Sequence, residues 1–175
     1  NVGVASRGGW LLLDDCEFSG NASAGIAGGY VFGLTMDNCD VTDNGTGLVF
    51  TQMNGYPAAE ISHSRFVGNG GGIRYWQEGG GLTMRFSSVD SSTTGHGIRT
   101  TGDFETLNRL DGPVNANAGH GIANAQGMAV VASGGEICGN GTSGIGMVAS
   151  ETALRLYGGR LAGNGEWGQK MQDDI

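Results

Sequence analysis

A Gly-His-Gly-Ile segment occurs twice, as 95-GHGIRTTG-102 and 119-GHGIANAQ-126, which sets His96 and His120 24 residues apart. Imidazole is the side chain most ready to move a proton near neutral pH, so both are candidate acid–base residues. The acids near the same stretch are Glu78, Asp103 and Glu105. Hydrolysis of a glycosidic bond needs two carboxyls about 5–10 Å apart, and these three are the candidates for such a pair. A second group suits binding. Arg74 and Arg99 hold matching places in 72-GIRYW-76 and 97-GIRTT-101, and Trp76 stands beside the first. A guanidinium fork matches a carboxylate in shape and charge, and an exposed indole offers a flat apolar face. The competing reading is that Glu78, Asp103 or Glu105 pair with these arginines as surface salt bridges.

Elements must hold such residues, and composition limits which. The chain has 175 residues, 36 of them Gly and 2 Pro, with a net charge of −8. An acidic surface argues against a general nucleic-acid binder, which needs a basic footprint. The longest apolar runs, such as 10-WLLL-13, fall far short of the roughly 20 residues that span a bilayer. No signal-peptide pattern is read within these 175 residues, and removal of a leader or upstream region is the expectation. The start on 1-NVGVASRGG, without Met, is read as the edge of a longer chain.

A periodic search explains the glycine. Aligning Gly followed by an aliphatic residue gives anchors Val4, Ile26, Leu48, Ile73, Ile98, Ile122 and Ile145, with Gln169 as a degenerate eighth. Upstream of most anchors stands an Asn: Asn21, Asn44, Asn69, Asn117, Asn140 and Asn164, with Ser92 in the fourth coil. Ten, eight and three residues before this column lie apolar residues in every coil, with Arg109 the exception. Five before it the residue is always small: Cys16, Cys39, Ser64, Ser87, Gly112, Gly135 and Gly159. Pairs two apart are the strand period. Six before the Asn stand Asp15, Asn38, His63, Phe86, Asp111, Gly134 and Gly158, a column rich in types that tolerate left-handed backbone at a tight bend. Each repeat of 22 to 25 residues therefore predicts three short strands, and stacked repeats a parallel solenoid about 4.8 Å per coil.

With 44-NGTGL-48, 69-NGGGI-73, 117-NAGHGI-122 and 140-NGTSGI-145, the chain resembles the right-handed parallel β-helix of the pectate-lyase-like superfamily over nearly its whole length. The fold expected is all-β, a single domain over 1–175 with about seven coils. A leucine-rich repeat is the rival, since 34-LTMDNCDVTDN-44 mimics its spacing, but the helical arc is missing. Polygalacturonases of the superfamily carry a Gly-His-Gly near catalytic carboxylates. Their Asn-Thr-Asp and Arg-Ile-Lys are absent, and the only Asp pair before the first Gly-His-Gly, Asp14-Asp15, is more than three coils away. That activity does not carry over, and both histidines read as corner residues that stack. Nor does the alginate-epimerase Asp-Pro-His signature occur. Lyases and epimerases of the superfamily want a base beside an anion-neutralising group; Tyr75 is expected inward, which leaves Arg and His.

Superfamily members commonly bind polysaccharide along the strands that start with Gly-Ile. With the anchors inward, the residues one and three later face out, which puts Arg74 beside Arg99 and Trp76 on the same face. The function expected is a polysaccharide-recognising module of a cell-surface protein or phage tailspike-like fibre, outside the cell or on a virion. The resemblance also leaves open a polysaccharide lyase, hydrolase or epimerase acting on an acidic glycan, and a non-catalytic spacer or adhesin stalk. A homotrimer, or a domain covering the open N-terminal end, would protect the strand edges there. Cys16 and Cys39 share an inward column and are read as free thiols, with a disulfide as the alternative. Cys138 falls elsewhere in the repeat. No zinc spacing and no calcium nonapeptide is present, so neither metal nor cofactor is expected. His63 is read as a turn residue, and Asp14, Asp37, Glu17 and Asp40 as a solvated acidic face.

Overall fold

The computed structural model describes residues 1–51, 58–77, 81–102, 107–125, 129–147, 153–167 and 169–171. Within them every regular element is a strand and every pairing is parallel, coil against coil. The first sheet stacks eight strands, from Val2–Arg7 to Gln169–Met171, one per coil. The second stacks seven, from Trp10–Asp14 to Ala153–Tyr157. Three-residue strands form the third side, four in one stack and two in another. Six coils carry all three strands, close to the seven expected. Among the described residues no helix is long and apolar enough to cross a membrane.

The interior is filled as the columns require. The anchors Ile26, Leu48, Ile73, Ile98, Ile122 and Ile145 are all buried, and so are Val41, Phe66, Val89, Val114 and Ile137 of the third side. The tight bend adopts left-handed backbone at Asp15, Asn38, His63, Phe86, Gly134 and Gly158. Cys16 and Cys39 are free, each thiol donating to the carbonyl two residues before it, Asp14 and Asp37 respectively. Burial pushes the Cys39 thiol above its ordinary range. Ser64 and Ser87 continue the column, their hydroxyls accepting the N–H of Cys39 and Ser64.

The expected register of coil five is corrected by one residue. Arg109 pairs with Thr83 and Val131, and Leu110 stands level with Met84 and Ala132. Leu110, 4% exposed, fills the core place assigned to Arg109. In the backbone register Asn108 stands level with Val130, and Leu107 with Ala129. The bend here is one residue shorter: Gly112 sits against Ser87, where a Cβ would lie 2.0 Å from the Ser87 carbonyl oxygen. Pro113 follows and has no N–H to donate, and the third-side strand stack breaks at this coil.

Why glycine precedes each aliphatic anchor is a matter of close approach. The Asn column is a ladder: the N–H and Nδ2 of Asn44 both donate to Asn69 Oδ1, at 2.9 and 3.0 Å. Asn21 does the same to Asn44, Asn117 to Asn140, and Asn140 to Asn164. Each amide then lies against the glycine of the neighbouring coil. A Cβ on Gly97 would fall 2.6 Å from Asn117 Nδ2 and 2.7 Å from the Gly121 carbonyl. At Ser92 the ladder stops. Its N–H donates to Asn117 Oδ1, while its buried hydroxyl has no partner among the described residues.

Candidate functional site

The first sheet builds the site by alternation. Ile73 and Tyr75 of the strand Gly71–Gln77 point into the core, and so do Ile98 and Thr100 of Ile98–Gly102. Arg74, Trp76 and Arg99 are therefore turned outward and are exposed. Parallel pairing sets Arg74 level with Val49 and Arg99, and Trp76 level with Thr51 and Thr101. Five of these outward positions, all but Val49, line a hollow open to solvent with the strand at Tyr75 as its floor. The expected neighbourhood of Arg74, Trp76 and Arg99 is thus what the structure brings together.

The floor is rigid. Tyr75 is buried, its hydroxyl donates to the Gly81 carbonyl at 3.2 Å, and burial pushes its phenol far above the ordinary range. It is no base at working pH. One coil on, Thr100 donates to Asn124 Oδ1 at 2.8 Å inside the core.

The two guanidinium groups stand on adjacent parallel strands, about 4.8 Å apart at the backbone, and like charges at such neighbouring positions repel. Among the described residues the ion pairs are Arg65–Asp40 at 2.8 Å, Arg160–Glu136 at 3.9 Å and His63–Asp37 at 2.8 Å. Neither Arg74 nor Arg99 belongs to one. Among the described residues the hollow therefore holds two cations with no carboxylate paired to them, on a chain of net charge −8. An anion set between the two forks would be attracted by both, and Trp76, 37% exposed, supplies an apolar wall beside it. Glu78, Asp103 and Glu105, the carboxylates considered for catalysis or for pairing with these arginines, lie outside the described residues.

His96 and His120 stack as expected, with ring centroids 5.1 Å apart and planes 14° apart. Burial, then His120 and then Arg99, holds the His96 pKa below its ordinary value. His63 occupies its bend and stacks on Phe86 at 5.4 Å. On the acidic face Asp37 accepts from Ser62 and pairs with His63, and the His63 bond is the main reason its carboxyl is held below the usual range. Asp15 accepts from Asn38. Among the described residues no three His, Cys, Asp or Glu are placed to hold a metal ion.

Sequence reasoning passed over a second exposed group in the first two coils. Trp10 is 64% exposed, and its ring lies where a Cβ on Gly33 would be. Tyr30 and Phe32 are exposed nearby, with the Arg7 guanidinium 5.8 Å from the Tyr30 ring centre. The signal was present in 10-WLLLD-14, where Trp10 and Leu12 alternate with the inward Leu11 and Leu13.

No curated protein and no solved structure matches the chain. The family described as right handed beta helix region matches residues 2–161, nearly the whole sequence. Stacked parallel sheets, inward Gly-aliphatic anchors and an asparagine ladder accord with that match, and the chain belongs to the right-handed β-helix family.

Proposed function

We propose that this β-helix is a carbohydrate-recognising module, of a cell-surface or tailspike-like protein outside the cell, that takes an acidic polysaccharide over Arg74, Arg99 and Trp76. The observation that carries the reading is the adjacency of two exposed arginines, unpaired among the described residues, beside an exposed indole in one hollow. The guanidinium forks suit the carboxylates of uronic-acid sugars, and the indole face suits the apolar side of a sugar ring. A polymer laid along the solenoid axis would meet the arginines in succession, one per coil.

A non-catalytic spacer is the second reading, favoured by the bland remainder of this face, where Ala5, Ala27, Ala123 and Gly146 share the arginine column. An acid-glycan lyase, hydrolase or epimerase would need carboxylates or a free base converging on the hollow. Incubation with a panel of acidic and neutral polysaccharides, scored for both retention and chain cleavage, separates the three. Retention without cleavage, lost when Arg74 and Arg99 are both replaced by Ala, is the expected result. Retention unchanged in that double variant overturns the site, and absence of retention across the panel favours the spacer. Sedimentation at several concentrations tests the homotrimer that a tailspike-like assembly would form.

A further inference from the structure

The stacked histidines border the arginine column, and their hydrogen bonds decide what they offer to it. His96 Nδ1 accepts the backbone N–H of His120 at 3.0 Å, from the next coil. His120 Nδ1 in turn accepts the N–H of Ser143 at 3.1 Å and meets Thr142 Oγ1 at 2.9 Å. A ring nitrogen that accepts from an N–H carries no proton, so the proton of each neutral imidazole sits on Nε2. Protonating Nδ1 of His96 would set one N–H against another and break a bond between coils. Among the described residues the charged or titratable groups facing His96 are His120 from the following coil and Arg99 from its own, and both oppose a further positive charge. Among the described residues no carboxylate pairs with it.

Position completes the case. Gly146 shares the outward column of Arg74, Arg99 and Ala123. A Cβ on Gly146 would fall 3.0–3.1 Å from three atoms of the His120 ring. The imidazole stack therefore runs along the edge of the arginine column, on the same outer face.

We propose that His96 is a further binding residue of this site, its Nε2–H a fixed neutral donor to a glycan oxygen beside Arg99. The assignment rests on the glycan reading above. It makes His96 a donor and not a general base, since Nε2 already holds its proton. The arginines supply charge, whose share of the affinity salt screens; His96 supplies direction, whose share salt leaves in place.

The test uses the whole chain labelled with ¹⁵N-histidine and a hyaluronan tetrasaccharide, which carries glucuronate, at pH 7.5. Spectra of His96→Phe assign the His96 resonances. The expected result is the Nε2–H tautomer for His96 in the free protein, and an Nε2 shift on titration that follows the binding curve. His96→Phe, which keeps a stacked ring but no donor, is expected to bind about 5–10-fold more weakly, the loss of one hydrogen bond. An Nδ1–H tautomer overturns the assignment in wild type, whatever the variant does. So does tight, arginine-dependent binding with the His96 Nε2 signal unmoved, which leaves the arginine site standing. No binding of the tetrasaccharide or of any acidic glycan in the panel removes the site reading, and this assignment with it.

Discussion

Replacing Ser92 by Asn should stabilise the solenoid by joining its two asparagine ladders. At four coil junctions an Asn N–H and Nδ2 both donate to the next Asn Oδ1, at 2.9–3.1 Å. Between Asn69 and Ser92 neither bond forms, and the Ser92 hydroxyl is buried without a partner among the described residues. An Asn at 92 would accept both bonds from Asn69. Its Nδ2 would donate to the Phe66 carbonyl, as Asn69 does to Val41 at 2.8 Å and Asn117 to Val89 at 3.2 Å. Room exists, because Gly72 stands where Gly47 and Gly97 make way for Asn69 and Asn117. Two or three new bonds at about 1 kcal/mol each, and relief of an orphan hydroxyl, stand against the rotamer entropy of one Asn. The net expected is about 2 kcal/mol, or about 4–8 °C in Tm for a chain of this size. Thermal and urea unfolding of wild type, Ser92→Asn and Ser92→Ala measure it, the alanine isolating the loss of the orphan hydroxyl. The reasoning fails if Ser92→Asn is no more stable than Ser92→Ala.

Gly97→Ala should cost about 1–3 kcal/mol, because the added methyl meets Asn117, the Gly121 carbonyl and Val114 at 2.6–2.8 Å; urea unfolding reads it. Leu110→Ala should cost about 2–5 kcal/mol, and a cost within about 0.5 kcal/mol would restore the uncorrected register of coil five. His96 has a folded pKa below its ordinary 6.5, so the unfolded chain binds more protons between the two values. Its contribution to stability is complete above 6.5 and is lost as pH falls toward the folded value, and His96→Phe should flatten that part of a pH–stability profile. Cys39, 1% exposed and with its thiol pKa raised, should be the last of the three cysteines to react with an alkylating reagent, read by mass spectrometry.

The fold was legible because the solenoid repeats one physical problem in each coil. A buried anchor at Ile73 or Ile98 and strand alternation suffice to turn Arg74, Trp76 and Arg99 outward and to set the arginines level. Coil five was misread because Leu107 and Leu110 are both apolar, and only the shortened bend at Gly112 distinguishes them. The asparagine column was visible as a pattern, but its cause lay across coils, in amide contacts that exclude a Cβ from the preceding glycine. The state of His96 was beyond reach of sequence for a related reason. Its Nδ1 is occupied by a backbone N–H 24 residues away, and the residues beside it carry no sign of that partner.

The gap in the ladder at Ser92 also bears on how the solenoid carries load. A solenoid pulled along its axis transmits force from coil to coil through backbone bonds and through the side-chain ladder beside them. Between the coils anchored by Ile73 and Ile98 the backbone bonds from Gly72 and Ile73 remain, but the ladder bears nothing. That seam is also the boundary between Arg74 and Arg99. A ligand gripping both arginines would span the seam and act as the missing rung.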